Sequence, residues 1–287
     1  MPETPLHFKT IREVAALIES KQLSPVELTR TMLERIGALD GKLLSYATLM
    51  ADSAMAQARE AEHEIAAGSY RGLLHGVPVA VKDLCYTTGV RTMGGTKVNA
   101  DFIPHFDATV VTRLKAAGAV ILGKLNLTEG AMGGYHPALK IPKNPWNVDS
   151  WSGASSSGSG VATAAGLCFG SLGSDTGGSI RFPASACGTV GLKPTYGRVS
   201  RYGVLALGQS LDHVGPLTRS AADAGIVLQA IAGQDPNDAT SLPDPVPDML
   251  DGIHQGVRGM RIGWNEAYAT SGVDPEVVSA VRAALKV

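Results

Sequence analysis

The chain has little of what marks secreted scaffolds, metal centres or polyanion binders. Its three cysteines, Cys85, Cys168 and Cys187, are odd in number and none stands in a CxxC spacing, which fits neither a disulfide framework nor a thiolate zinc site and points to a reducing compartment. No basic segment followed by an apolar run of signal-peptide length opens the sequence, and no stretch reaches the roughly 18 apolar residues of a membrane span. The expected location is the cytoplasm, with no membrane partner. An excess of charge is also missing: 25 basic against 26 acidic residues, spread along the chain, leave no footprint for nucleic acid. No serine sits in a GxSxG context, which removes the nucleophile elbow of the α/β-hydrolases. The seven histidines are scattered without metal-ligand spacing, so no metal and no cofactor is expected. His213, in the loop-like stretch "SLDHVGP", is the one histidine near a serine cluster in sequence.

What is present is a chain of 287 residues, 44% apolar, long enough to bury its own core. Residues 1–70 read as helical. Thr10 with Glu13 and Ser24 with Glu27 have capping-box spacing, Pro25 sits at the favoured first helical position, and a third helix covers Asp52 to Ala67, ended by Gly68. From Gly76 short apolar runs, "GVPVAVKD" and "AVILGKLN", flank a helix capped by Asp107 and ended by Gly118. Further on, "GVATAAGL" reads as a small-residue helix and "LCFGSLGS" as a buried strand. A Ser220-started helix, a strand "MRIGW" and a helix running to the last residue follow. The expected class is α/β, a mixed central β-sheet covered by helices on both faces. One domain spans 1–287: a helical region 1–70, a core 71–220 and a partial region 221–287, with Asp235 to Gly252 as a Pro/Asp-rich linker or flap.

Three stretches bear on chemistry. In "GSDTGGSIRFP" Ser179 follows two glycines, and the amides of Thr176, Gly177, Gly178 and Ser179 can converge on an oxyanion; the same residues also suit an ordinary turn. A serine nucleophile needs a base. Lys82 ends an apolar strand, where burial can bring a lysine down to near pH 8, or it is a strand-end lysine paired to Asp83 or another acid. The run "SGASSSGSG" merges into an apolar small-residue pattern, which favours a tight loop entering a packed helix over a linker.

Taken together, "GVPVAVKDL", the Ser/Gly run after "NPWN" and "GSDTGGSIRFPASACGTVGLKPTYGRVSRYG" resemble the amidase signature family of Ser-Ser-Lys hydrolases, most closely over Gly72 to Ser220. The resemblance implies that Ser179 is the acyl-forming nucleophile, Lys82 the terminal base, and Ser155, lying 24 residues before Ser179, the bridging serine behind a non-proline cis peptide bond from Ala154. It further implies an oxyanion hole from Thr176 to Ser179, a positioning network of Asp175 with Arg181, and a supporting Ser156. The activity implied is hydrolysis of a small-molecule amide through an acyl-enzyme, with a rate that rises from neutral to alkaline pH as Lys82 loses its proton.

The chain departs from the family pattern in two ways. Where the family reads GGSSGGS, this chain has Gly153, Ala154, Ser155, Ser156, Ser157, Gly158 and Ser159. Family members also continue further, so the expectation is a C-terminally incomplete fold. Alternatives within the family are the glutamine-hydrolysing subunit of a tRNA-dependent amidotransferase and a carbamate or urea hydrolase, and a homodimer is compatible with any of these. Outside it, a nucleotide site at "GAVILGKL" is set aside because Leu125 replaces the required Ser or Thr, and a non-catalytic scaffold is opposed by the presence of all three key residues.

Overall fold

A computed structural model describes residues 4–286. In chain order the elements are α1 (Ile11–Glu19), α2 (Pro25–Leu43), β1 (Tyr46–Leu49), α3 (Ala51–Ala66), β2 (Pro78–Lys82), α4 (Thr109–Ala116), β3 (Val120–Leu125), α5 (Ser157–Ala164), β4 (Gly170–Asp175), α6 (Arg181–Cys187), β5 (Val190–Gly191), β6 (His213–Thr218), α7 (Ala221–Ile231), α8 (Glu266–Thr270) and α9 (Pro275–Ala284). They group into two compact units, Met1–Asp251 and Gly252–Val287. Among the described residues no helix is long and apolar enough to cross a membrane.

The first unit is built on a six-stranded mixed sheet in the order β1-β3-β2-β4-β6-β5. Strand β2 lies between β3 and β4 and is parallel to both, whereas β1, β6 and β5 pair antiparallel. Every residue of β2, β3 and β4 is buried, as expected of central strands covered on both faces. Neighbouring residues of β4 show the two layers: Ser171 meets Thr163 of α5 at 2.9 Å, and a Cβ at Gly170 would meet Val227 of α7 and Ile11 of α1. At Gly173 a Cβ would lie 2.8 Å from Ser156 Oγ, so this close approach of strand and helix entry needs a residue without a side chain.

Local signals account for most helix starts. Thr10 and Glu13 form the reciprocal box, with the Thr10 amide 2.7 Å from Glu13 Oε2. Ser24 accepts from the Val26 and Glu27 amides, but its hydroxyl turns to Glu62 and Glu27 does not reciprocate. Asp107 does not cap α4: the cap position is Ala108, and Asp107 instead takes the Thr88 amide at 2.7 Å and Lys115 Nζ at 2.5 Å.

Two other expectations change. "MRIGW" is irregular; among the described residues its unit has no strand for it to pair with, and Met260 and Ile262 are 70% and 65% exposed. Helix α9 stops at Ala284, and Val287 lies outside the described residues. The loop from Asp235 is pinned at its start, where the buried Asp235 carboxylate accepts from Thr109 and Ser200, each at 2.5 Å.

Candidate active site

Parallel neighbours β2 and β4 end at the same side of the sheet, the side on which α/β proteins place their sites. Lys82 is the last residue of β2 and Asp175 the last of β4. Lys82 is fully buried, and its Nζ donates to Ser155 Oγ at 2.7 Å and to Ser174 Oγ at 2.8 Å. Burial lowers its pKa to about 7 against the opposing pull of negative charge at Asp175 and Asp212, because a low-dielectric site disfavours the ammonium form. Asp83 is not its partner. That carboxylate faces the other buried lysine, Lys124, at 3.5 Å.

The serine run enters α5, and each of its serines is buried. The Ala154–Ser155 peptide bond is cis. Ser156 ties the run to the neighbouring loop: its amide donates to the Ser179 carbonyl at 3.2 Å, and its hydroxyl bridges the Ser174 amide and carbonyl, each at 3.1 Å. Ser179 is half-buried, and its hydroxyl has no hydrogen-bond partner among the described residues. The structure thus joins Lys82 to Ser155 directly and Ser156 to the backbone of Ser179, while the step from Ser155 to Ser179 is not a hydrogen bond.

Asp175 organises the turn that carries Ser179. Its buried carboxylate accepts five hydrogen bonds: the amides of Gly178 (2.8 Å), Ile180 (3.1 Å) and Arg181 (3.4 Å), and the Arg181 side chain at Nε (3.0 Å) and Nη2 (2.9 Å). This bears on the four amides expected to act as oxyanion donors. The Gly178 amide is spent on Asp175, leaving those of Thr176, Gly177 and Ser179 without partners among the described residues.

Two residues have places the sequence did not indicate. Ser174 is the second hydroxyl on Lys82, and only strand register puts it there: Val81 pairs with Leu172, so Ser174 lies just past the end of β2. His213 is the first residue of β6, not part of a loop; it pairs with Asp175 and its Nδ1 lies 3.1 Å from the Asp175 carbonyl oxygen, which makes Nδ1 the donor. Ser174, Asp212 and His213 share the wall of a cavity of about 530 Å³. Among the described residues, no three His, Cys, Asp or Glu side chains gather in a way that would hold a metal ion.

On a mixed α/β core, a buried lysine at the end of a central strand thus meets a serine run that is tied to a glycine turn. The chain belongs to the Amidase family, which it matches over residues 27–287. It is 60% identical over 261 residues to "Putative amidase AmiD" of Mycobacterium tuberculosis strain ATCC 25618 / H37Rv, covering 91% of this chain and 55% of that protein. It is 50% identical over 277 residues to a glutamyl-tRNA(Gln) amidotransferase subunit of Anaeromyxobacter dehalogenans strain 2CP-C, covering 96% of this chain and 56% of that protein. The structure of native peptide amidase from Stenotrophomonas maltophilia superposes with a TM-score of 0.88 at 37% identity, covering 97% of this chain and 60% of that one. The chain spans about half the length of the curated relatives it matches.

Proposed function

We propose that the chain carries the serine–serine–lysine site of an amidase that cleaves the C–N bond of a small carboxamide through an acyl-enzyme. The observation that carries this reading is the fully buried Lys82 amine, with a pKa of about 7, held 2.7 Å from Ser155 Oγ. A buried amine that is largely neutral above pH 7 can accept a proton, and a hydroxyl at that distance can relay one. Ser179 Oγ attacks the amide carbon; its proton passes to Ser155 as the Ser155 proton passes to Lys82. The carbonyl oxygen, now negative, takes N–H groups from Thr176, Gly177 and Ser179. The relay then runs backwards, the leaving nitrogen gains the proton, the C–N bond breaks and water hydrolyses the ester at Ser179. Ser174 holds the amine from its other side, and Asp175 with Arg181 holds the turn.

The free-standing form of this activity is favoured over the amidotransferase subunit by the higher identity to "Putative amidase AmiD", 60% against 50%. Three buried free thiols suit a cytoplasmic setting. The test is covalent trapping with a fluorophosphonate followed by peptide mapping. The label is expected on Ser179 and is expected to fall at least a hundredfold in rate in Lys82→Ala and Ser155→Ala. A label on another residue, or unchanged labelling in both variants, refutes the reading.

A further inference from the structure

The turn that carries Ser179 is held by two carboxylates, and only one of them has a basic partner. Asp175 grips Gly178, Ile180 and Arg181, and its charge is met by the Arg181 guanidinium at 2.9 Å. Asp212 grips the opposite end. Its Oδ1 accepts from the Thr176 hydroxyl at 2.5 Å, and its two oxygens accept from the amides of Leu207 at 2.9 Å and Gly208 at 3.0 and 3.1 Å. Thr176 is the first residue of the turn, so this contact fixes the amide-bearing segment where it leaves β4. Among the described residues Asp212 has no ion-pair partner, and it lines the same cavity as Ser174, the residue that holds the Lys82 amine.

Resting on the serine–lysine reading above, we propose that Asp212 is a positioning residue with two separable actions: through Thr176 it sets the entry of the oxyanion turn, and its carboxylate, without an ion-pair partner among the described residues, places negative charge on the cavity wall that also carries Ser174, the hydroxyl holding the Lys82 amine. The groups whose charge bears on Lys82 are Cys85, Asp175 and Asp212. The Cys85 thiol is pushed up by burial to about 11, so it is uncharged near neutrality. Asp175 is shared with Arg181, which leaves Asp212 as the negative charge without a counter-ion among the described residues. A negative neighbour favours the ammonium form.

The two actions separate in two variants. Asp212→Asn removes the charge and keeps an oxygen for Thr176; Thr176→Val keeps the charge and removes the grip. Fluorophosphonate labelling of Ser179 as a function of pH reads both, with thermal melts to establish that each variant is folded. In Asp212→Asn the alkaline-rising limb should move to lower pH by roughly half a unit or more, because the neutral amine is reached sooner. In Thr176→Val the plateau rate should fall about tenfold to a hundredfold with the midpoint unmoved. A residue that merely capped the 207–208 turn would lower the melting temperature of Asp212→Asn and leave the midpoint in place, which overturns the charge action. Full labelling in Thr176→Val overturns the grip. Wild-type protein that labels elsewhere than Ser179 overturns the underlying reading and this inference together, whereas normal wild-type labelling with an unshifted Asp212→Asn profile and full labelling in Thr176→Val overturns this inference alone.

Discussion

Replacing Lys82 with methionine should make the protein more stable near neutral pH while abolishing its chemistry. Met fills much of the same volume without an ionisable end. Lys82 has its pKa lowered from 10.5 to about 7 by burial, so on unfolding below pH 10.5 the exposed amine gains a proton that the folded form resists. The unfolded state binds more protons across this window, and wild-type stability therefore rises with pH from about 7 towards 10.5. At 1.36 kcal/mol per pH unit the cost of burying this amine is about 4–5 kcal/mol at pH 7. The variant escapes that cost but loses the hydrogen bonds to Ser155 and Ser174, about 1 kcal/mol each. The net expectation is a gain of roughly 2–3 kcal/mol at pH 7. It should shrink by about 1.4 kcal/mol per pH unit and change sign near about pH 9, where the remaining burial cost equals the lost hydrogen bonds, which alone are left above about pH 10.5.

Urea denaturation of both proteins at intervals from pH 6.5 to 10 measures the difference directly, and titrations common to the two cancel. A variant less stable than wild type at pH 7, or a gap that is the same at pH 7 and pH 10, would refute the claim that Lys82 is held neutral at a folding cost. The same series carries its functional control, since the variant should not label at Ser179 at any pH.

Two further changes probe the scaffold. At Gly153 φ is +80°, and a Cβ would lie 2.3 Å from Pro183 Cα and 2.5 Å from Pro183 N. Gly153→Ala should therefore cost about 3 kcal/mol or more in urea denaturation, whereas Gly177→Ala, where a Cβ meets nothing within 4 Å, should stay within about 0.5 kcal/mol of wild type. Burial alone would raise the Asp175 pKa, but Arg181 and the amides of Ile180 and Gly178 bring it below the usual carboxylate range. The stability it contributes is present above the ordinary carboxylate pKa and is lost as pH falls through the lower folded value. Asp175→Asn should cost about 3 kcal/mol at pH 7 and flatten that acid limb; an acid limb unchanged from wild type would count against the carboxylate's role in the turn.

Helix starts are legible where the signal is local. Thr10 and Glu13 cap each other within one turn, so their spacing carries the whole interaction. Asp107 misleads because its carboxylate is claimed by Thr88 and Lys115, one of them well outside the helix. Strand β6 is hidden by its own composition: "HVGPLT" contains a glycine and a proline, which read as a turn. The fold tolerates Pro216 there because its carbonyl accepts from the Leu192 amide. Backbone N and C=O of one strand residue point to the same side, so the missing N–H faces the two-residue β5 and not the long ladder with β4.

The site is legible as residue types at fixed separations, but not in what those residues spend their hydrogen bonds on. Lys82 and Lys124 look alike in sequence, each late in an apolar strand. Register separates them: Val81 pairs with Lys124 and Lys82 with Leu125, so the two side chains leave the sheet on opposite faces. Lys124 meets the Cys85 carbonyl at 2.6 Å, Thr92 Oγ1 at 2.7 Å and the Asp83 carboxylate at 3.5 Å. It has a carboxylate to oppose the effect of burial. Lys82 meets two hydroxyls and, among the described residues, no carboxylate within ion-pair distance. A buried amine whose close partners are hydroxyls lacks the contact that would hold its proton, and one of those hydroxyls belongs to the run that leads to Ser179. Which of two similar lysines meets the serine run is therefore set by a one-residue offset between adjacent strands, a quantity no single stretch of sequence contains.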